Sequence, residues 1–66
     1  MHITVNGQSY EVSDDFGLLD LIQLLKIGEQ RFAIEINEEV VSRSEYKVCS
    51  LHEGDRVEIV QAIGGG

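Results

Sequence analysis

The chain has 66 residues, with twelve acids against five Lys and Arg and a formal net charge of −7. A domain this small buries only about 60% of the surface its unfolded chain exposes, which excludes a deep catalytic cleft and leaves any chemistry to an edge, a terminus or a partner. Such acidity repels phosphate backbones and anionic lipid, so nucleic acid and membranes are poor partners, and a protein with a basic docking face is the complement.

Hydrophobic residues at 42% and charged ones at 26% fit a folded soluble domain rather than a disordered one. Acidity also serves solubility alone. The single cysteine, Cys49, excludes an internal disulfide framework and fits a reducing compartment. Met1 is followed by His2-Ile3-Thr4-Val5, with neither a basic nor an apolar leader region, and no apolar run approaches membrane-spanning length. A cytoplasmic location is the expectation.

Residues 2–12 read as a hairpin. Ile3 and Val5 alternate with polar neighbours, Asn6-Gly7 suits a tight turn with positive φ, and Tyr10 and Val12 alternate on the return. Ser13-Asp14-Asp15 offers N-cap side chains to a helix expected from Phe16 to Ile27. Its Leu18, Leu21, Ile22 and Leu25 form one stripe. Burying those four side chains is worth about 6–12 kcal/mol before entropy is subtracted. Gly28 stands where a helix-ending glycine belongs, whereas Gly17 weakens the first turn without a reason visible in the sequence.

Phe32, Ile34 and Ile36 alternate as a third strand, Asn37-Glu38-Glu39 turns the chain, and Val40-Val41 forms a short fourth. Ser42 to Lys47 reads as a turn or a single helical turn. Glu53-Gly54-Asp55 turns into a last strand from Arg56 to Ile63, with Val57 and Ile59 inward. The order β-β-α-β-β-β gives an α+β fold, one helix across a mixed sheet of four to five strands, with the first and last strands parallel at its centre. This is the β-grasp, ubiquitin-like arrangement, expected over residues 1–63, with 64–66 as a flexible glycine tail.

The tail carries the function. Three glycines pay the most entropy to become ordered, reach about 10 Å when extended, and thread a narrow channel because they lack Cβ atoms. A frayed end or a linker has the same composition, but here the glycines follow directly on a sheet strand. The chemistry open to a terminal Gly66 carboxylate is narrow. Adenylation with ATP supplies a leaving group, and a sulfur nucleophile then leaves sulfur on Gly66 as a thiocarboxylate, with the catalytic machinery supplied by partners. Gly64 and Gly65 would be read by the enzyme that holds the tail.

Other motifs are weaker. Asp15-Phe16-Gly17 matches a kinase metal-binding tripeptide in a chain too short for a kinase. Cys49 and His52 have ligand-like spacing but lack two further ligands, so Cys49 reads as a buried structural thiol and no metal site is assigned. No nucleophile-base-orienter set occurs, and no residue is assigned as catalytic. After Ile59 the alternation breaks, since Val60, Ala62 and Ile63 do not share one face. Either some of these face outward and dock partners, with Glu58, Val60 and Ala62 as candidates, or all pack under a loop.

Over essentially its whole length the sequence resembles the ThiS family of sulfur carriers in thiamine biosynthesis. The residues that carry the likeness are Ile3-Thr4-Val5-Asn6-Gly7, the leucine-rich helix, Ala33-Ile34-Glu35-Ile36-Asn37, and Val40-Val41 with Arg43. Leu51-His52-Glu53-Gly54-Asp55-Arg56-Val57-Glu58-Ile59-Val60 and the Gly-Gly end complete it. Ser42 replaces an expected proline, and Gly64 precedes the usual glycine pair. The resemblance implies a carrier that is not itself an enzyme and binds no cofactor. Gly66 would be adenylated by an E1-like adenylyltransferase (ThiF-like) that uses ATP, then thiocarboxylated with sulfur relayed from a cysteine desulfurase. The sulfur would pass to a thiazole synthase (ThiG-like). A MoaD-like carrier for molybdopterin and a ubiquitin-like modifier joined to lysines through Gly66 share the fold and the tail.

Overall fold

The computed structural model describes residues 1–28 and 31–61. Strand β1 (His2–Val5) pairs antiparallel with β2 (Gln8–Glu11), with Val5 opposite Gln8. The two residues between them, Asn6 and Gly7, have φ of 50° and 85°, the left-handed pair that matches the twist of a two-residue hairpin. A second hairpin repeats this device. β3 (Phe32–Ile36) meets β4 (Glu39–Val41) through Asn37 and Glu38, at φ of 52° and 73°. Glu39 therefore belongs to the strand rather than to the turn that the sequence implied.

Strand β5 (Arg56–Gln61) lies at the centre of a five-stranded sheet ordered β2-β1-β5-β3-β4. It runs parallel to β1 and antiparallel to β3. The crossover that makes the parallel pair feasible contains α1 (Leu18–Leu25). A single 3₁₀ turn at Arg43–Glu45 confirms the short helical turn expected after β4. The β-grasp expectation holds. The remainder of the last strand, to Ile63, and the 63/64 boundary lie outside the described residues. Among the described residues no helix is long and apolar enough to cross a membrane.

The helix begins and ends differently from the sequence expectation. Its N-cap is Gly17, not Ser13, Asp14 or Asp15. The Asp20 carboxylate accepts the Gly17 N–H at 2.8 Å, and Leu18 N–H donates to the Cys49 carbonyl at 3.0 Å. A Cβ on residue 17 would stand 3.3 Å from that same carbonyl oxygen. Close approach of the 49–50 backbone, not any special φ, accounts for this glycine. At the other end the left-handed residue is Lys26, at φ 58° and ψ 40°, and not Gly28. Lys26 N–H donates to the Gln23 carbonyl and Ile27 N–H to the Ile22 carbonyl, a Schellman closure that brings buried Ile27 back onto the helix.

Leu18 and Leu21 are fully buried, Ile22 nearly so and Leu25 half-buried, as the stripe required. They meet Ile3, Val5, Ile34 and Val57 from the sheet. Tyr46 and Leu51, in segments without periodicity, complete the core. Asp55 is the one buried charged residue among the described residues. Its carboxylate accepts Asn37 Nδ2 at 3.0 Å and the His52 N–H at 2.8 Å, so the turn before β5 and the β3–β4 turn are tied together by satisfied polar groups.

Candidate functional site

Strand β5 positions whatever follows it, because Gly66 comes five residues after Gln61. Those five residues span at most about 17 Å when fully extended. Gly64, Gly65, Gly66 and Ala62 lie outside the described residues, as does Ile63. Glu58 and Val60 are described. Alternation along β5 sends Val57 and Ile59 to the helix side and Arg56, Glu58 and Val60 to the open face of the sheet.

On that open face the register is specific. Val60 stands opposite Ala33 and Glu58 opposite Glu35, and Glu35 in turn faces Val40 on β4. Val60 is 62% exposed and Val40 is 72% exposed. Val60 therefore does not pack under a loop, which removes the core alternative for that residue. Nearest the end of β5 the face is apolar, with two carboxylates in the next row. Beyond them Arg56 donates to the Glu38 carboxylate at 3.0 Å. Two like charges directly opposite each other across a sheet repel, and a cationic side chain laid over them removes that repulsion.

Sequence reasoning missed what steadies this strand. The Asn6 side chain accepts the Ile59 N–H at 2.8 Å and donates to the Ile59 carbonyl at 3.2 Å. Asn6 is recognisable in sequence as a turn residue, but its pairing with a residue 53 positions away leaves no local signal.

Cys49 is half-buried rather than buried, with Sγ 3.7 Å from the Ser50 carbonyl oxygen. Desolvation, then the Glu45 and Asp55 carboxylates, raises its pKa above the ordinary value. The thiol is therefore held protonated, the reverse of what a reactive sulfur requires. The exposed His52 imidazole lies 3.8 Å from the Asp55 carboxylate, and among the described residues no three His, Cys, Asp or Glu side chains are grouped to hold a metal.

A mixed five-stranded sheet with β1 and β5 parallel at its centre and one helix in the crossover is the arrangement that the sequence likeness implied. The ThiS family model matches residues 3–66. The chain belongs to the ThiS family. The crystal structure of a thiamine biosynthesis protein (ThiS) from Geobacter metallireducens superposes with a TM-score of 0.83 at 30% identity, covering all of both chains. A thiazole synthase of Paramagnetospirillum magneticum is 33% identical over 66 residues, all of this chain and 20% of that protein. The ycf40 protein of Porphyra purpurea is 31% identical over 64 residues, 97% of this chain and 90% of the relative. This ThiS-family chain thus spans about a fifth of the length of the thiazole synthase it matches.

Proposed function

We propose that this chain is a sulfur carrier for thiazole formation in thiamine biosynthesis, acting in the cytoplasm and itself performing no catalysis. The observation that supports this most directly is a family match running through Gly66, on a domain whose central strand ends five residues before it. Likeness to a thiamine biosynthesis protein and to a thiazole synthase supports the pathway assignment.

In this reading the Gly66 carboxylate attacks the α-phosphorus of ATP in an E1-like partner, releasing pyrophosphate. A sulfur nucleophile at the sulfide level then attacks the acyl carbon and expels AMP, leaving a thiocarboxylate. The chain contributes reach through Gly64 and Gly65 and recognition through the open face around Glu58 and Val60, with Ala62 next along the chain. ATP and its metal belong to the activating partner. A cysteine desulfurase supplies the sulfur indirectly as a persulfide, a thiol reductant brings it to the sulfide level with formation of a disulfide, and a thiazole synthase receives it from the thiocarboxylate.

The test is loading of the chain by an activating enzyme from the same genome, with ATP and sulfide, read by intact mass. Replacement of one oxygen by sulfur at Gly66 is the expected product. Appending one residue after Gly66 should abolish it while leaving circular dichroism unchanged. The same mass experiment on protein from the native host reads whether Gly66 carries a free carboxylate. Lysine-linked adducts there would mark a modifier, and normal loading of the extended chain would sink the carrier reading.

A further inference from the structure

Phe32 and Tyr46 stack with ring centroids 5.7 Å apart and planes within 13° of parallel, and the Arg43 guanidinium lies 5.8 Å from the Phe32 centroid. These rings, with Leu19 and Ile22 of α1, floor a cavity of about 230 Å³ whose rim carries Arg43 and Lys47. Among the described residues no Asp or Glu lines it. Arg56 is the only Lys or Arg in an ion pair among the described residues, so neither Arg43 nor Lys47 has a carboxylate partner there. The cavity is smaller than the ~300–1,000 Å³ typical of small-molecule sites and suits one or two side chains.

Its position matters as much as its lining. Phe32 stands opposite Gln61, on the helix side of the sheet, whereas Val60 faces the open side. The cavity therefore flanks the end of β5 on the surface opposite the Val60 face. A guanidinium over an aromatic ring is weakly hydrated, and a carboxylate arriving with an apolar neighbour gains both the charge pair and the exclusion of water from the floor.

The geometry points to a second partner contact at this cavity. An acidic segment of a partner enzyme places an Asp or Glu carboxylate between Arg43 and Lys47 and an adjacent apolar side chain on Leu19 and Phe32. This rests on the carrier reading, in which enzymes grip the domain while its tail is engaged. The Val60 face selects a cationic surface and the cavity an anionic one, so together they fix the rotation of the domain about β5.

The experiment titrates the labelled chain against the activating enzyme and, separately, the thiazole synthase of the same genome, by fluorescence anisotropy. Lys47→Glu should weaken binding to at least one of them about tenfold or more. Lys47→Arg should restore it, and the urea midpoints should stay unchanged because Lys47 is exposed. Unaltered binding to both enzymes by Lys47→Glu and by Arg43→Gln overturns the proposal while leaving the carrier reading standing. Wild-type chain that binds neither enzyme overturns both. Concentration-dependent self-association that Lys47→Glu abolishes, with enzyme binding unaffected, makes a second copy the occupant and also overturns the proposal.

Discussion

Asn6 pairs with Ile59 through both atoms of its side-chain amide, at 2.8 and 3.2 Å, continuing the parallel β1–β5 ladder after the β1 backbone has turned away. The Asn6 backbone N–H donates to Val57 at 2.9 Å, so one residue holds two successive inward-facing positions of the central strand. Asn6→Gly keeps the left-handed turn and deletes only the amide. It should destabilise the fold by about 1–3 kcal/mol and speed amide exchange at Ile59 relative to Val57. Unchanged exchange at Ile59 would show that the pairing carries no energy.

Leu21 has no exposed surface, whereas Leu24 is 54% exposed. Leu21→Ala should cost about 2–5 kcal/mol, a large share of the stability of so small a domain. Leu24→Ala should cost less than about 1 kcal/mol. Urea midpoints of the two variants decide it, and Leu24→Ala as the worse of the pair would contradict the helix phase.

Glu35 and Glu58 face each other across β3 and β5. Glu58→Gln should raise stability by about 0.2–1 kcal/mol at low salt, with the gain shrinking as salt is added. In the carrier reading the same change weakens docking to a basic enzyme face. Lower stability of Glu58→Gln at low salt would argue that the pair does not repel.

Val60 is a surface residue, so Val60→Asp should leave the urea midpoint within about 0.5 kcal/mol of wild type. Sulfur loading by the activating enzyme should nonetheless fall about tenfold or more, because a charge is placed where an apolar contact is proposed. A stable and fully active Val60→Asp chain removes Val60 from the docking site.

The Cys49 thiol has its pKa raised above the ordinary thiol value, chiefly by desolvation and then by Glu45 and Asp55. The native state therefore holds this proton to higher pH than the unfolded state does. Its contribution to stability is complete below the unfolded value and declines as pH rises through it. Alkylation by iodoacetamide should follow a profile with its midpoint at higher pH than that of the urea-unfolded chain, and Glu45→Gln should move that midpoint down. A native midpoint below the unfolded one would mean that the thiol is activated rather than suppressed.

Local chemistry made much of the fold legible. Asn6-Gly7 marks a hairpin because few residue pairs tolerate two positive φ values, and the Leu18, Leu21, Ile22 stripe marks a buried helix face because 3.6 residues complete a turn. Helix ends were less legible. Ser13, Asp14 and Asp15 look like caps, but the 49–50 backbone crosses at Gly17 and fixes the start there, while Schellman closure at Lys26 bypasses Gly28. The glycine tail and family likeness could be read from residue types in order. The Asn6–Ile59 pairing, the buried Asp55 and the stacking of Tyr46 on Phe32 could not. The first two join residues 53 and 18 positions apart, and the third joins a strand to a segment with no hydrophobic period. Sequence alone therefore determined the elements and their order, which depend on near neighbours. Tertiary structure decided the caps, the polar ties and the cation-rimmed cavity, because each is built where segments distant in the chain meet.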